Sequence, residues 1–372
     1  MKNTLPAVSE ARQPRMLVRV NGLMVPALTW QVDNNSYYAA DTFRATFPIS
    51  TLPAGLGTDW WFSQSQMEVE ILIGFPANPD APQAGELMSL IYGRADEVAL
   101  ELNDTCIEIL GRDLTSVLID TKTSQKFANL TASQVATKLA GLHGLTPVVT
   151  ATTKLVGKFY DKDHVRLQDQ RSEWDLISFL AREEGFLVYI AGKQLHFEPA
   201  PNETQNPYVF RWSGTVPLEA NATHVKVSRN LTLAKDIKVT VRSWNAKQKK
   251  NFTATAQAVH TRNKVTRKLP IAVSGDAQQY SVNTLPGLTQ EQVQARANQL
   301  LKEISLHEMR LEVDGPADNI LTRTDVIQLQ GTGTMADQVY YPDSITRSFS
   351  ADEGYSWRIE AKNHATESQV TL

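Results

Sequence analysis

Two short helices with complete start and stop signals interrupt a chain that otherwise reads as strands, and this interruption constrains the fold more than any other feature. The first opens on Leu130-Thr131-Ala132-Ser133-Gln134, a capping-box pattern. It continues with Val135, Leu139 and Leu142 at helical spacing to Gly144, the expected C′ residue. The second runs from Ser172 through Trp174, Leu176, Ile177, Phe179 and Leu180 to Gly185, after which Phe186-Leu187-Val188-Tyr189-Ile190 reads as a buried strand. Both lie between Ile109 and Pro199, and the chain on either side has a different period.

On the N-terminal side the first 14 residues, with Pro6 and Pro14 and no periodicity, read as an arm. From residue 15 the pattern alternates. Met16-Leu17-Val18-Arg19-Val20 runs into Asn21-Gly22, a pair suited to a tight hairpin because both positions tolerate positive φ. Thr42 to Phe47, Met67 to Ile73 and Glu97 to Leu102 follow as strands, which predicts a small antiparallel barrel or sandwich over residues 15–114. The helix-containing α+β insertion is expected over 115–222. Strands resume beyond His224, with Ile237 to Arg242 and Phe252 to Ala256 flanking the polar turn Asn245 to Lys250. One helix near 289–306 starts at the capping box Thr289-Gln290-Glu291-Gln292, and Met309 to Val313, Asp325 to Leu329 and Tyr355 to Ala361 complete a second β-barrel domain over 223–372. The expected fold class is therefore mainly β, with two small antiparallel β-barrels flanking the insertion.

At 372 residues the chain exceeds the usual ~100–200 residues of one domain. No apolar run approaches the ~18 residues of a membrane span, and Met1 to Pro6 lacks the apolar core of a signal peptide, so folding in a cytoplasm and no stable membrane insertion are expected. Cys106, the single cysteine, excludes an intrachain disulfide and falls in an alternating run where a small core residue fits. The formal charge of −3 hides an asymmetry: His224 to Lys268 holds twelve Lys or Arg against Asp236 alone, and +11 there leaves −14 elsewhere. Such a patch suits an acidic neighbour. Sequence-specific nucleic-acid binding is disfavoured, because no helix carries the bases and few aromatics interleave with them.

Catalysis and metal binding leave little trace. The seven histidines never fall at His-x-x-x-His spacing, and no phosphate loop, dinucleotide fingerprint or nucleophile elbow is present. Asp161, Asp163 and His164 form the one compact set of potential ligands, in what reads as a polar turn. Glu183-Glu184 ends a helix, where carboxylates oppose the helix dipole, but Arg182 stands beside them. Gly331-Thr332-Gly333-Thr334 reads as a turn between strands. No catalytic residue, cofactor or metal is expected. The partner-contact candidates are Lys247, Lys249 and Lys250, at a basic hairpin tip, and Trp60 and Trp61, in the aromatic cluster Trp60-Trp61-Phe62 that follows Gly55 and Gly57.

Four pieces in order, Gly111-Arg112-Asp113-Leu114, Thr131 to Leu139, Leu180-Ala181-Arg182-Glu183-Glu184-Gly185-Phe186 and Gly192-Lys193-Gln194-Leu195-His196-Phe197, resemble the phage tail baseplate hub family. The resemblance covers about a quarter of the chain well. It implies a structural protein that forms a homotrimeric, pseudo-hexameric ring between a tail tube protein and a trimeric central spike, contacts other baseplate proteins and leaves an axial channel for DNA. A virion component assembled in a bacterial host is thereby expected. The competing reading is a cell-wall-directed enzyme or glycan-binding tail protein that uses Trp60 and Trp61 together with loop carboxylates.

Overall fold

A computed structural model describes residues 2–3, 13–36, 38–83, 85–122, 127, 130–153, 155–156, 172–200, 206–214, 219–230, 237–245, 248–258, 278–283, 288–305, 309–350 and 352–363. The fold is mainly β, with large antiparallel pairings and a helix-containing insertion.

The N-terminal strands are β1 (Arg15–Val20), β2 (Leu23–Val25), β3 (Thr29–Asn35), β4 (Thr42–Pro48), β5 (Glu68–Gly74), β6 (Leu87–Glu101) and β7 (Cys106–Asp113), with the short helix α1 (Thr58–Ser63) between β4 and β5. Asn21 and Gly22 both take positive φ, 50° and 79°, as the β1–β2 hairpin requires. Alternation does the rest: Val18 and Val20, Phe43, Ala45 and Phe47, Val69, Ile71 and Ile73, and Ile107 and Ile109 all face one core. Each large side chain so buried contributes about 1.5–3 kcal/mol. Cys106 is buried at the start of β7.

The insertion contains α2 (Thr115–Asp120), α3 (Ala132–Leu142), β8 (Thr146–Val149), α4 (Glu173–Glu184), β9 (Phe186–Ala191) and β10 (Gln194–Pro199). Both helix starts follow the sequence signals: Thr131 and Gln134 form the capping box of α3, and the Ser172 hydroxyl accepts the Asp175 N–H of α4 at 3.1 Å. Gly185 ends α4 at φ 70°, the left-handed conformation that glycine adopts without steric cost. The helices lie on a three-stranded sheet, β8 parallel to β10 and β10 antiparallel to β9, over a core that includes Leu118, Leu139, Ile177, Leu195 and Phe197.

The remaining strands are β11 (Tyr208–Ser213), β12 (Glu219–Ala220), β13 (His224–Arg229), β14 (Ile237–Asn245), β15 (Lys250–Ala258), β16 (Gln278–Asn283), β17 (Met309–Pro316), β18 (Ile327–Gln330), β19 (Val339–Ser350) and β20 (Gly354–Lys362), with α5 (Gln290–Ser305). β19 pairs with β3 from Ser344–Asn35 to Ser350–Thr29, so N- and C-terminal strands share one 14-stranded sheet. Neither partner stands out in the sequence, because β3 turns the polar Asn34 toward the interior and thereby breaks its apolar alternation. β14, β15, β16 and α5 form a further body with its own core, Val239, Val241, Ala254, Ala256, Leu288, Val293 and Ala297. At the N-terminus Lys2 and Asn3 are tied down: the Lys2 N–H donates to Pro207 O at 3.0 Å, and the Lys2 ammonium meets Asp325 at 2.6 Å.

Candidate partner surfaces and a buried charge cluster

The two tryptophans expected at a partner surface lie on a helix, α1, and face different ways. Trp61 is fully buried against Phe47 at 5.0 Å, and its indole N–H donates to Leu56 O at 3.0 Å. A side chain with no exposed surface reaches no partner, so Trp61 belongs to the core. Trp60 packs edge-on to it at 5.3 Å and is half-buried, which leaves Phe62, 55% exposed, as the most open member of the cluster.

The basic hairpin is built as its alternation suggests. Val239 and Val241 are fully buried beneath α5, while Arg242 is exposed on the opposite face with Trp244, itself 50% exposed. Lys249, at φ 49°, and Lys250 are exposed at the β14–β15 tip; the Lys250 ammonium lies 5.8 Å from the Phe252 ring. Lys247 falls outside the described residues, as do Asp161, Asp163 and His164. Glu183 pairs with Arg296 of α5 at 3.3 Å, and Arg182 stacks over the Tyr38 ring at 4.7 Å, so these two side chains tie α4 to its neighbours. The Gly331 to Thr334 segment is a turn between β18 and β19, its backbone and hydroxyl donors already satisfied by the Asp337 carboxylate. Among the described residues no group of three or more His, Cys, Asp or Glu is placed to hold a metal ion, and no helix is long and apolar enough to cross a membrane.

The most concentrated buried polarity lies where three parts of the chain meet. Asp41, 2% exposed, accepts from Asn34 Nδ2 at 2.9 Å, from the Asn35 N–H at 2.8 Å and from the Arg323 guanidinium. Arg323 also donates to Asn35 O at 2.9 Å and lies over the Tyr189 ring, reaching from the C-terminal strands across to the insertion. Behind it the buried Arg347 donates to Asn34 Oδ1 at 2.9 Å and to Leu321 O at 2.5 Å. A paired buried charge of this kind is costly to break, because removing one member strands the other.

Asp113, from the Gly-Arg-Asp-Leu step, completes the cluster. Its Oδ1 accepts the Thr115 N–H at 3.0 Å, while Oδ2 has no hydrogen-bond partner among the described residues. Burial first, and then repulsion from Asp41, push its carboxyl up to about 8. Asp41, Asp113 and Arg323 line a cleft of about 360 Å³ with Glu70, Tyr92 and Lys193, and the Lys193 ammonium sits 4.9 Å from the Tyr92 ring. The cluster works as a clamp: its hydrogen bonds join β3 and the turn after it to the segment before β18 and to β19, and the Arg323 guanidinium over the Tyr189 ring reaches the sheet of the insertion. Tyr38 and Trp174 supply a second fastening, with the Trp174 indole N–H donating to Tyr38 O at 2.8 Å and the Tyr38 hydroxyl to Phe186 O at 2.7 Å. Sequence reasoning singled out Asp113 only within a motif. Asp41, Arg323 and Arg347 carry no local pattern, and their relation becomes visible only once the strands are paired.

A family model described as the Alg8 N-terminal domain matches residues 68–345. A comparison with curated proteins finds no match. Among solved structures, the 43 kDa tail protein of prophage MuSo2 from Shewanella oneidensis aligns over 94% of this chain and 98% of its own, at 13% identity and a TM-score of 0.69. The tail protein from Neisseria meningitidis MC58 aligns over 94% and 97%, at 12% identity and a TM-score of 0.66. A type VI secretion system component of E. coli, described as structurally similar to T4 bacteriophage tail proteins, aligns over 95% of this chain and 78% of its own, at 12% identity and a TM-score of 0.53. The chain shares the fold of these proteins along nearly its whole length, as the sequence resemblance implies.

Proposed function

From its fold we propose that this chain, which belongs to the family described as the Alg8 N-terminal domain, is a structural protein of a phage tail or tail-like particle. In this reading it is the baseplate hub. Three copies form a pseudo-hexameric ring that joins the tail tube to a central spike, contacts other baseplate proteins and leaves an axial channel for DNA. The observation that carries the reading is the likeness to two tail proteins over 94% of the chain, insertion included. Two features of the molecule support it. Its concentrated polarity is spent on internal fastening rather than on an open reactive centre, as the clamp of Asp41, Asp113 and Arg323 illustrates. Its exposed basic sheet and exposed apolar side chains, Phe62 and Trp244, suit contacts with other chains. The same reading makes it a virion component, built in the host bacterium, that binds neither membrane nor a specific DNA sequence.

The test is the mass of the assembled species. Native mass spectrometry of concentrated protein is expected to show a trimer near three times 41.4 kDa. Dimers or tetramers alone, at high concentration and within the particle, would remove the ring. A cell-wall-directed enzyme would instead release soluble fragments from purified peptidoglycan, an activity that the hub reading does not expect.

A further inference from the structure

Two strand regions of opposite charge face solvent in different parts of the molecule. Asp96 to Leu110, which covers the distal half of β6, the β6–β7 turn and most of β7, contains five acids and no Lys or Arg. Two of these acids are paired within the chain, Asp96 with Arg112 at 2.7 Å and Glu108 with Arg44 at 3.1 Å. Glu97, Glu101 and Asp104 are exposed and have no ion pair among the described residues. The strand they occupy is open as well: β5 pairs with β6 only from Leu87 to Arg94, so the outer edge of β6 from Glu97 to Glu101 lacks a neighbour among the described strands. Leu102, at the turn, is 76% exposed.

The small sheet of β14, β15 and β16 is the opposite case. The segment Ile237 to Ala258 contains five Lys or Arg and no acid. α5 covers one of its faces through Val239 and Val241, and the other face carries Lys238, Arg242 and the exposed Trp244, with Lys249 at the tip. None of these three bases has an ion pair among the described residues.

The spacings match. Residues four apart on a strand share a face and stand roughly 13 Å from each other. Glu97 and Glu101 are so related on β6, with Asp104 just beyond at the hairpin tip; Lys238 and Arg242 are so related on β14, with Lys249 just beyond at its tip. Each row also ends beside an exposed apolar side chain, Leu102 in one and Trp244 in the other. We propose that the acidic β6–β7 hairpin of one copy docks on the open basic face of the β14–β16 sheet of the next copy. The contact joins unlike surfaces and is therefore heterologous, the kind that closes into a ring. The inference rests on the self-assembly reading above and adds to it the two surfaces that meet. Charge on a free strand edge also discourages unwanted pairing. Reversing its sign keeps that protection and changes only the partner, which makes reversal the discriminating change.

Association is measured by sedimentation velocity at low and at physiological salt. Three variants are compared with wild type: Lys238→Glu/Arg242→Glu/Lys249→Glu, Glu97→Lys/Glu101→Lys/Asp104→Lys, and the chain with all six changes. Each triple variant is expected to associate at least about tenfold more weakly, and the six-fold variant to recover most of the loss because complementarity is restored with opposite sign. Failure of that recovery overturns the docking. If the wild type forms trimers that neither triple change weakens, the docking is wrong while the ring stands. A wild type that never associates removes both. A short DNA duplex bound tightly by wild type and lost in the basic-face variant, with association unchanged, reassigns the face to nucleic acid. Should a variant fail to fold, carbodiimide cross-linking of mixed isotope-labelled and unlabelled wild-type copies gives the same answer. Links between copies from Glu101 or Asp104 to Lys238 or Lys249 are expected, and their absence in a cross-linked trimer overturns the inference.

Discussion

The 14-stranded sheet and the three-stranded sheet under α5 solve the same problem at different scales, and the contrast lies in how much apolar surface each one buries. The large sheet buries Trp30, Trp61, Phe47, Phe210 and Tyr340 and is laced by long-range polar contacts such as Arg347 to Asn34. The small one rests on Val239, Val241, Val293 and a few alanines, and its other face carries the exposed Arg242 and Trp244. Removing apolar surface from water is what stabilises both, so the large sheet should unfold as one unit and the small one should open locally at lower free energy.

The strongest challenge to this contrast is a change that the large sheet has no room for. A Cβ at Gly111 would run into Arg94 O across the β6–β7 bulge and into the Phe43 ring. Gly111→Val is expected to cost more than about 4 kcal/mol and to remove the cooperative unfolding transition by circular dichroism. A near-wild-type melt would show that β6 and β7 can separate without loss of the core. Val241→Ala in the small sheet should cost about 2 kcal/mol. Its signature is faster hydrogen exchange confined to β14, β15, β16 and α5, with β3 and β19 unchanged; faster exchange throughout would mean the two sheets unfold together.

The change at the junction is distinguished by its direction with pH rather than by its size. Asp113 is held neutral to about pH 8 by burial and by Asp41, whereas the unfolded chain releases that proton near its ordinary value of 3.8. The native state therefore binds more protons between about pH 4 and 8, and this group's contribution to stability falls as pH rises through that window. Asp113→Asn removes the titration. Its melting temperature relative to wild type should climb steadily between pH 5 and pH 8.5. Parallel profiles for the two proteins would mean that Asp113 is ionised throughout and that the clamp holds a full negative pair.

The pieces whose causes are local are legible along the chain. Thr131 with Gln134, Ser172, Gly144 and Gly185 specify where α3 and α4 begin and end; Asn21-Gly22 specifies a hairpin; the alternation of Val239 and Val241 with Lys238 and Arg242 specifies which way β14 faces. Each of these signals acts through hydrogen bonds and sterics within a few residues, so each is readable without knowing the rest of the chain. Tertiary structure alone decided that β19 joins β3 rather than closing a separate unit, that Trp61 turns inward while Phe62 does not, and that Asp41, Asp113, Arg323 and Arg347 converge. Asn34 and Arg347 are 313 residues apart in the sequence, and no local propensity encodes which distant strand will satisfy a buried amide. That choice is made by the requirement that polar groups, once buried by the collapse of the apolar faces around them, find partners wherever the packing places them.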